Sequence, residues 1–203
     1  PDYGTGSWIY VNRGDGTATG YTGNYTLADS VVLWGSGYDG GYPGIRAPGF
    51  AMIDGGGAAS PVITLGNDNT VMGVSVQHGS DGIYILNKNN VRIRHNDISH
   101  NSSDGVYVFN NGAAAYSGHD VTGNTFTANG SNAVFVYNSS SGELSDFGFS
   151  DNTMTGNLAD GFFIVNQTTG TMSGFTFTGN TITESTQYGI CAYNVAAGTM
   201  TGF

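Results

Sequence analysis

The chain has 203 residues, including 34 glycines, 4 prolines and the single cysteine Cys191, so no disulfide can form within it. The chain has 5 Lys and Arg and 15 Asp and Glu, which gives a formal net charge of −10. No Lys or Arg follows Arg94. This balance disfavours nucleic acid and anionic membranes as partners, and polyanionic sugars along the C-terminal part. No run of residues is apolar for long enough to span a bilayer, so we expect no direct membrane insertion of this segment.

Residues 1–60 contain three apolar runs that each end in a glycine-rich bend. The runs are WIYVN at 8–12, VVLWGSG at 31–37 and FAMIDGGG at 50–57. Such runs predict strands that end at turns. The glycines of GDGT at 14–17 and of Gly55–Gly57 could also form a phosphate cradle, but no Lys follows them and no helix is indicated, so a loop is favoured.

From residue 61 onward, one pattern recurs six times: a short turn, an apolar run and an asparagine. The copies begin at residues 61, 81, 104, 132, 160 and 188, so successive starts lie 20, 23, 28, 28 and 28 residues apart. A repeat of this length indicates a solenoid, and the alternation of apolar residues within each copy indicates strands. Three short strands per copy, each stacked about 4.8 Å from its counterpart, give a coil of parallel sheets.

Asparagine recurs at three positions of the repeat. The first column is Asn67, Asn87, Asn110, Asn138, Asn166 and Asn194; the second is Asn96, Asn124, Asn152 and Asn180; the third is Asn101, Asn129 and Asn157, followed by Ser185. Asparagine tolerates left-handed backbone angles, and its amide can bond the next amide along a stack. We therefore predict asparagine ladders at the bends, with a structural rather than a catalytic role.

The motifs G-I-x-V-x-N, N-V-x-I and N-x-I, with Asn at stacked corners, resemble the right-handed parallel β-helix of pectin-lyase-like proteins over about residues 61–203. The order of IYVNRGDGT, LADSVVLWGSG and PVITLGNDNTVMGVSV is similar to the opening of β-helical passengers in bacterial autotransporter-like and polymorphic outer-membrane adhesins. The resemblance implies an all-β fold, a single-stranded solenoid with three short strands per rung. It also implies a secreted or bacterial cell-surface location.

We interpret the chain as one continuous domain, with irregular rungs at 1–60 and regular rungs at 61–203. The last copy stops within a rung, after YGICAYNVAAGTMTGF, so we expect the chain to be part of a longer parent protein.

Strand alternation predicts which apolar residues point outward. The third and fifth places of each copy should fill the core, and the fourth and sixth, which are also apolar, should face out. The outward aromatic residues of copies two to five form what we call the aromatic strip, namely Tyr84, Tyr107, Phe109, Phe135, Tyr137 and Phe163. Exposed apolar area marks interfaces and ligand grooves, so the predicted partner is a carbohydrate or a host or self surface protein.

An alternative is that a loop, a flanking domain or a second molecule covers the aromatic strip. The longer copies carry insertions at 111–118, 139–146 and 167–174, which could form a ledge over it. The apolar column of that ledge is Tyr116, Leu144, Met172 and Met200.

Basic and imidazole groups concentrate in one rung, KNNVRIRHNDISH at 88–100. Lyases and epimerases among the β-helix proteins that the chain resembles use such groups to remove a proton beside a uronate carboxylate. The alternative function is therefore a polysaccharide lyase or epimerase with its site at Lys88, Arg92, Arg94 and His95. Stacking is expected to place Arg92 beside Asp120 and His95 beside His78.

A solvated surface cluster explains the same residues without catalysis. The signatures of related enzymes are missing: paired aspartates with G-H-G, R-x-P-x-x-R and D-P-H-D. The favoured function is therefore a non-catalytic, adhesin-like segment, with no catalytic residue assigned.

Asp81 and Asp104 begin adjacent copies, so their carboxylates could share a calcium ion, a cation that prefers oxygen ligands. The favoured interpretation is that each carboxylate bonds the backbone of its own Asp-Gly turn. No other metal or cofactor is predicted.

Overall fold

A computed structural model describes residues 4–13, 21–38 and 49–203. Over these residues the chain is all β, with 22 short strands in three parallel sheets. None of them forms a helix long and apolar enough to cross a bilayer. The predicted GDGT loop at 14–17 lies outside the described residues.

The chain visits the three sheets in the same order on every circuit, and one circuit is one rung. Sheet A contains β1 Trp8–Val11, β4 Val32–Gly35, β7 Thr70–Met72, β10 Arg92–Arg94, β13 Tyr116–Thr122, β16 Glu143–Ser150, β19 Thr171–Thr178 and β22 Thr199–Thr201. Sheet B contains β2 Tyr21–Thr22, β5 Ala51–Asp54, β8 Val74–Gln77, β11 Asp97–Ser99, β14 Thr125–Thr127, β17 Thr153–Thr155 and β20 Thr181–Thr183. Sheet C contains β3 Tyr25–Thr26, β6 Ile63–Leu65, β9 Ile83–Leu86, β12 Val106–Asn110, β15 Val134–Asn138, β18 Phe162–Asn166 and β21 Ile190–Asn194.

The strand register confirms the repeat lengths read from the sequence. In sheet C, Ile83 pairs with Val106, Val106 with Val134, Val134 with Phe162, and Phe162 with Ile190. The first strands join the same sheets, since β1 pairs with β4, β4 with β7, and β5 with β8. The runs at 8–12, 31–37 and 50–57 therefore form strands, as predicted.

The core fills the inside of the coil and follows the predicted alternation. In β15, Val134 and Val136 are fully buried, whereas Phe135 and Tyr137 between them are partly exposed. In the last rung the inward residue Ile190 is 48% exposed, because no further rung of the described chain lies against it. Burial therefore depends on stacking, as expected of a solenoid.

The insertions extend sheet A instead of forming a ledge over the aromatic strip. Leu144 pairs with Tyr116 on one side and with Met172 on the other. Leu144 and Met172 are 1% and 0% exposed and belong to the hydrophobic core, against which Tyr116 and Met200 pack. The prediction of a surface ledge was wrong, because strand alternation continues through the insertion and turns this column inward.

The asparagine ladders are present, and the second is the most regular. Each side chain from Asn96 to Asn152 donates from Nδ2 to Oδ1 of the next asparagine, at 3.1, 3.1 and 2.9 Å. The third ladder runs from Asn101 through Asn129 to Asn157 at 3.0 and 2.9 Å. It ends at Ser185, whose Oγ is buried without a partner.

The first column forms a ladder over only part of its length. Asn110 bonds Asn138 at 2.9 Å, and Asn138 bonds Asn166 at 3.1 Å. Asn67 instead bonds Asp29, and Asn87 bonds Asn111. The early copies have fewer residues at this corner than the later ones, so their asparagine side chains do not continue the ladder. The ladder prediction is therefore confirmed for this column only from Asn110 to Asn166.

Candidate functional site

The aromatic strip lies on the outer face of sheet C, across β9, β12, β15 and β18. All six of its side chains are partly buried. The register aligns them in two columns, Tyr84, Tyr107, Phe135 and Phe163 in one and Phe109 and Tyr137 in the other. The sequence therefore predicted the position of each of these side chains correctly, while their binding role stays a prediction.

The rings of the strip stack on one another along the coil. Centroids of Tyr107 and Phe135 are 5.0 Å apart with planes 6° from parallel, and those of Phe135 and Phe163 are 5.2 Å apart at 15°. Phe109 and Tyr137 stack at 5.5 Å and 9°. Contacts of 5.8 Å between Tyr107 and Phe109 and 5.6 Å between Phe135 and Tyr137 join the two columns.

This spacing fixes which part of each ring is available to a partner. Nearly parallel rings at such distances must overlap in part, because rings lying side by side in one plane would bring their edge carbons inside van der Waals contact. The rings therefore do not lie flat on the sheet. Each ring covers part of its neighbour's face, so only part of that face is open to a partner.

Two tyrosines of the strip, Tyr84 and Tyr107, are uncharged at ordinary pH. Burial, with contributions from Tyr84 and Asp104, raises the pKa of the Tyr107 phenol, and burial with Asp81 raises that of Tyr84. Both hydroxyls therefore stay protonated. No side-chain hydrogen bond of the described residues engages the hydroxyls of Tyr84, Tyr107 or Tyr137, which leaves them available to a partner.

A fourth polar ladder, which the sequence did not lead us to expect, borders the strip. The Asp104 N–H donates to Asp81 Oδ1 at 3.2 Å, the Asn132 N–H to Asp104 Oδ1 at 2.9 Å, and the Tyr188 N–H to Asp160 Oδ1 at 2.7 Å. The expectation that Asp81 and Asp104 bond the backbone of their own turns was therefore wrong, since their acceptors serve the next rung. Its sequence signal was the recurrence of Asp or Asn at the start of each copy.

Burial raises the pKa of Asp81, Asp104 and Asp160, although the ladder bonds oppose the shift. One oxygen of each carboxylate is already engaged by a backbone N–H. The described residues contain no cluster of three or more His, Cys, Asp or Glu that could hold a metal ion. Calcium sharing between Asp81 and Asp104 stays a prediction.

The basic rung at 88–100 places its charged groups on β10 and at the corners beside it. Lys88 lies in the corner before β10, Arg92 and Arg94 lie on β10, and His95 lies in the corner after it. Arg92 pairs in register with Asp120 as predicted, but Arg94 makes the ion pair, donating from Nε to Asp120 at 2.8 Å. An exposed pair of this kind contributes little to stability.

The predicted neighbour of His78 was wrong. Gln77 pairs with Ser99, so the residue beside His78 in the next rung is His100, with ring centroids 6.3 Å apart. His95 lies at another corner, where it stacks on Tyr38 at 5.0 Å. The four residues of the alternative site therefore lie on β10 of sheet A and at the two corners beside it.

His78 also contacts Asp54, a residue that the sequence did not connect with it. His78 Nδ1 lies 3.0 Å from Asp54 Oδ2, and the Gly56 N–H donates to Asp54 Oδ1 at 2.7 Å. Burial alone would raise the pKa of Asp54, but the bonds from His78, Gly56 and Gln77 outweigh it and lower that pKa. Asp54 is therefore a carboxylate held against an imidazole.

Comparison with known families agrees with the architecture. The family model described as right handed beta helix region matches residues 7–170 and 114–202. No curated protein and no solved structure gives a significant match. Because the family match extends over most of the sequence and the three sheets have the topology it requires, the chain belongs to the right-handed β-helix family.

Proposed function

We propose that the chain is a non-catalytic β-helical segment of a secreted or bacterial cell-surface, adhesin-like protein. Its aromatic strip is the surface that contacts a partner, and the partner is another protein. The observation that carries the proposal is the array of partly exposed, mutually stacked rings on the outer face of sheet C. A continuous apolar surface of this kind is typical of an interaction site.

Ring orientation favours a protein over a sugar. A sugar ring binds an aromatic residue by lying on its open face, and in the strip each inner face is already partly covered by the next ring. Partly covered rings that carry phenol hydroxyls suit a protein surface, where Tyr supplies rigid apolar area together with a hydrogen-bonding group. The neutral state of Tyr84 and Tyr107 removes the cost of burying a charge in such an interface.

The distribution of charged groups supports the non-catalytic role. Arg94 is engaged by Asp120, and the imidazole of His95 lies against Tyr38 at a different corner from His78. A general base must lie within hydrogen-bond reach of the proton that it removes, and acts together with a group that stabilises the developing charge. Two of the four residues of the alternative lyase or epimerase site are therefore already engaged by other side chains.

The double variant Tyr107→Ser, Phe135→Ser tests the proposal. It should leave the coil folded, because the inward residues on either side are unchanged, and should lower affinity for a protein partner at least about fivefold. Binding is measured by surface plasmon resonance on an immobilised panel of extracellular proteins, a second copy of the chain and a glycan panel. Trp8→Ser with Tyr21→Ser removes two exposed aromatic residues outside the strip and is the matched control.

Three results would overturn the proposal. Equal binding by the wild type and the strip variant would show that the strip is a passive surface. Strip-dependent binding to glycans alone would replace the protein partner with a sugar. Cleavage of pectate or alginate that is abolished by Arg94→Ala would show that the segment is an enzyme.

A further inference from the structure

Two histidines line a cleft at the corner between sheets B and C, and an aspartate lies against one of them. His78 and His100 line this cleft of about 200 Å³ together with Gly57, Gly79 and Ser102. Their ring centroids are 6.3 Å apart with planes at 57°. The His78 side chain is 48% exposed, so the cleft opens to solvent.

We propose that this cleft binds a divalent transition metal of the zinc class, held by one nitrogen of His78 and one of His100. Imidazole nitrogen is a preferred ligand of such ions, whereas calcium and magnesium prefer oxygen. Water completes the coordination, because no third His, Cys, Asp or Glu of the described residues converges on the same point.

Asp54 selects the nitrogen of His78 that binds the metal. Its carboxylate can only accept a hydrogen bond, so Nδ1 of His78 must carry the hydrogen across the 3.0 Å contact. In the neutral ring this leaves the lone pair on Nε2, on the opposite edge. A carboxylate that holds the remote N–H of a metal-binding histidine is a common arrangement, and it orients the ring and increases its basicity.

The spacing of the two rings fits a shared ion after a small side-chain rotation. Two imidazoles on one ion with Zn–N bonds of about 2.0–2.1 Å have ring centres roughly 5–6 Å apart. The observed 6.3 Å is slightly longer. Because both side chains reach solvent, the rotation meets no core packing.

Stacking of the coil does not itself require histidine at these positions. Ser99, Thr127, Thr155 and Thr183 pair in one row of sheet B, and the residues that follow them occupy the same corner column. The left-handed residues of that column are His78, His100, Ala128, Gly156 and Glu184. Since this backbone accepts such different residues, the pair of adjacent imidazoles beside Asp54 is a feature of the side chains.

The test is calorimetric titration of the whole chain with Zn²⁺. We expect one saturable site per chain. His78→Gln and His100→Gln should each lower affinity at least about tenfold, and Asp54→Asn by about 10-fold to 100-fold. His95→Gln removes an exposed histidine at another corner of the same coil and should leave affinity unchanged. An excess of Ca²⁺ should not displace the zinc.

Side-chain NMR provides a readout that does not depend on the variants. Zn²⁺ should shift the imidazole resonances of His78 and His100 and leave those of His95 and His119 in place. The proposal fails if the wild-type chain shows no saturable binding, if His95→Gln weakens binding as much as His100→Gln does, or if the shifted resonances belong to other residues.

Discussion

His119 is the residue whose replacement should change stability most informatively. It lies on β13, is 3% exposed, and neither ring nitrogen has a hydrogen-bond partner. The next residues of its column are phenylalanines. His119 lies 4.5 Å from Phe147 between ring centroids, Phe147 lies 4.9 Å from Phe175, and Phe175 lies 4.7 Å from Phe203. An imidazole therefore occupies a position that the next three rungs give to an apolar ring.

Burial lowers the pKa of His119 from 6.5 to about 4. The Lys88 backbone, which lies near the ring without forming a hydrogen bond of regular geometry, opposes this only in part. Below pH 6.5 the unfolded chain takes up a proton that the folded chain does not accept until about pH 4. The free energy of unfolding therefore keeps its full value above pH 6.5 and falls as the pH drops towards 4. The pKa of His119 is lower in the folded chain than in the unfolded chain by about 2.5, which corresponds to a decrease of about 3 kcal/mol in the free energy of unfolding.

We expect His119→Phe to raise the free energy of unfolding by about 1–2 kcal/mol at pH 7, because it removes an unpaired buried polar group and extends the phenylalanine stack. Its advantage over the wild type should grow by about 3 kcal/mol between pH 7 and pH 4. Urea unfolding followed by far-UV circular dichroism at several pH values measures both. His119→Leu, which is smaller than phenylalanine, should show the same pH dependence even if the larger ring is too bulky.

A difference between variant and wild type that stays constant from pH 7 to pH 4 would refute the reasoning. It would mean that the imidazole reaches water or a partner in the folded chain. A histidine that titrates normally by NMR would lead to the same conclusion.

Two further predictions concern the ladders. Asn124→Ala should lower the free energy of unfolding by about 2–4 kcal/mol, because it leaves the buried Asn96 N–H without a partner and removes one hydrogen bond to the Ile93 carbonyl. Asn180→Ala, at the partly exposed end of the same ladder, should lower it by less than about 1 kcal/mol, and equal losses in urea unfolding would contradict this. Ser185→Asn should raise the melting temperature, gaining about 1 kcal/mol by giving the Asn157 amide the acceptor that the third ladder lacks, and an unchanged melting temperature would show that this corner does not accept the amide.

The parts of the fold that stacking imposes could be predicted from the sequence. In a coil of parallel strands, a residue and its counterpart one rung away have the same surroundings, so each column repeats the same kind of residue. This is why the register of Val106, Val134 and Phe162 and the ladder through Asn124 could be derived from the spacing of the copies. Alternation then determined which side of each strand faces the core.

The corners were harder to predict, because the copies differ in length and the additional residues lie mostly at the corners. The copies that start at 61 and 81 are 20 and 23 residues long, and their sequence alone does not say which of three corners holds the extra residues. We aligned His95 with His78, but the strand register places His100 there. The useful signal was local, since VSVQH and DISH both place a histidine directly after a sheet B strand.

The orientation of the rings in the aromatic strip also could not be predicted from the sequence. Alternation predicts that Tyr107 and Phe135 share an outer face, and this is what the structure has. Whether their rings lie flat or stand against one another depends on side-chain torsions, which the spacing of residues does not determine. The proposal of a protein partner instead of a sugar rests on that distinction.

A repeat imposes most of its residues, so departures from a column carry more functional information than agreement with it. The asparagines of Asn96 to Asn180 recur because each rung needs the same corner bond, and they say nothing about a ligand. The imidazoles of His78 and His100 occupy a column that also accepts Ala128 and Gly156, so stacking does not explain them. The aromatic strip is intermediate: like the asparagines it recurs from rung to rung, but like the histidines it is not required by stacking, because its residues lie on the outer face. Sites on this coil are therefore best sought where a column contains a residue that the fold would not require.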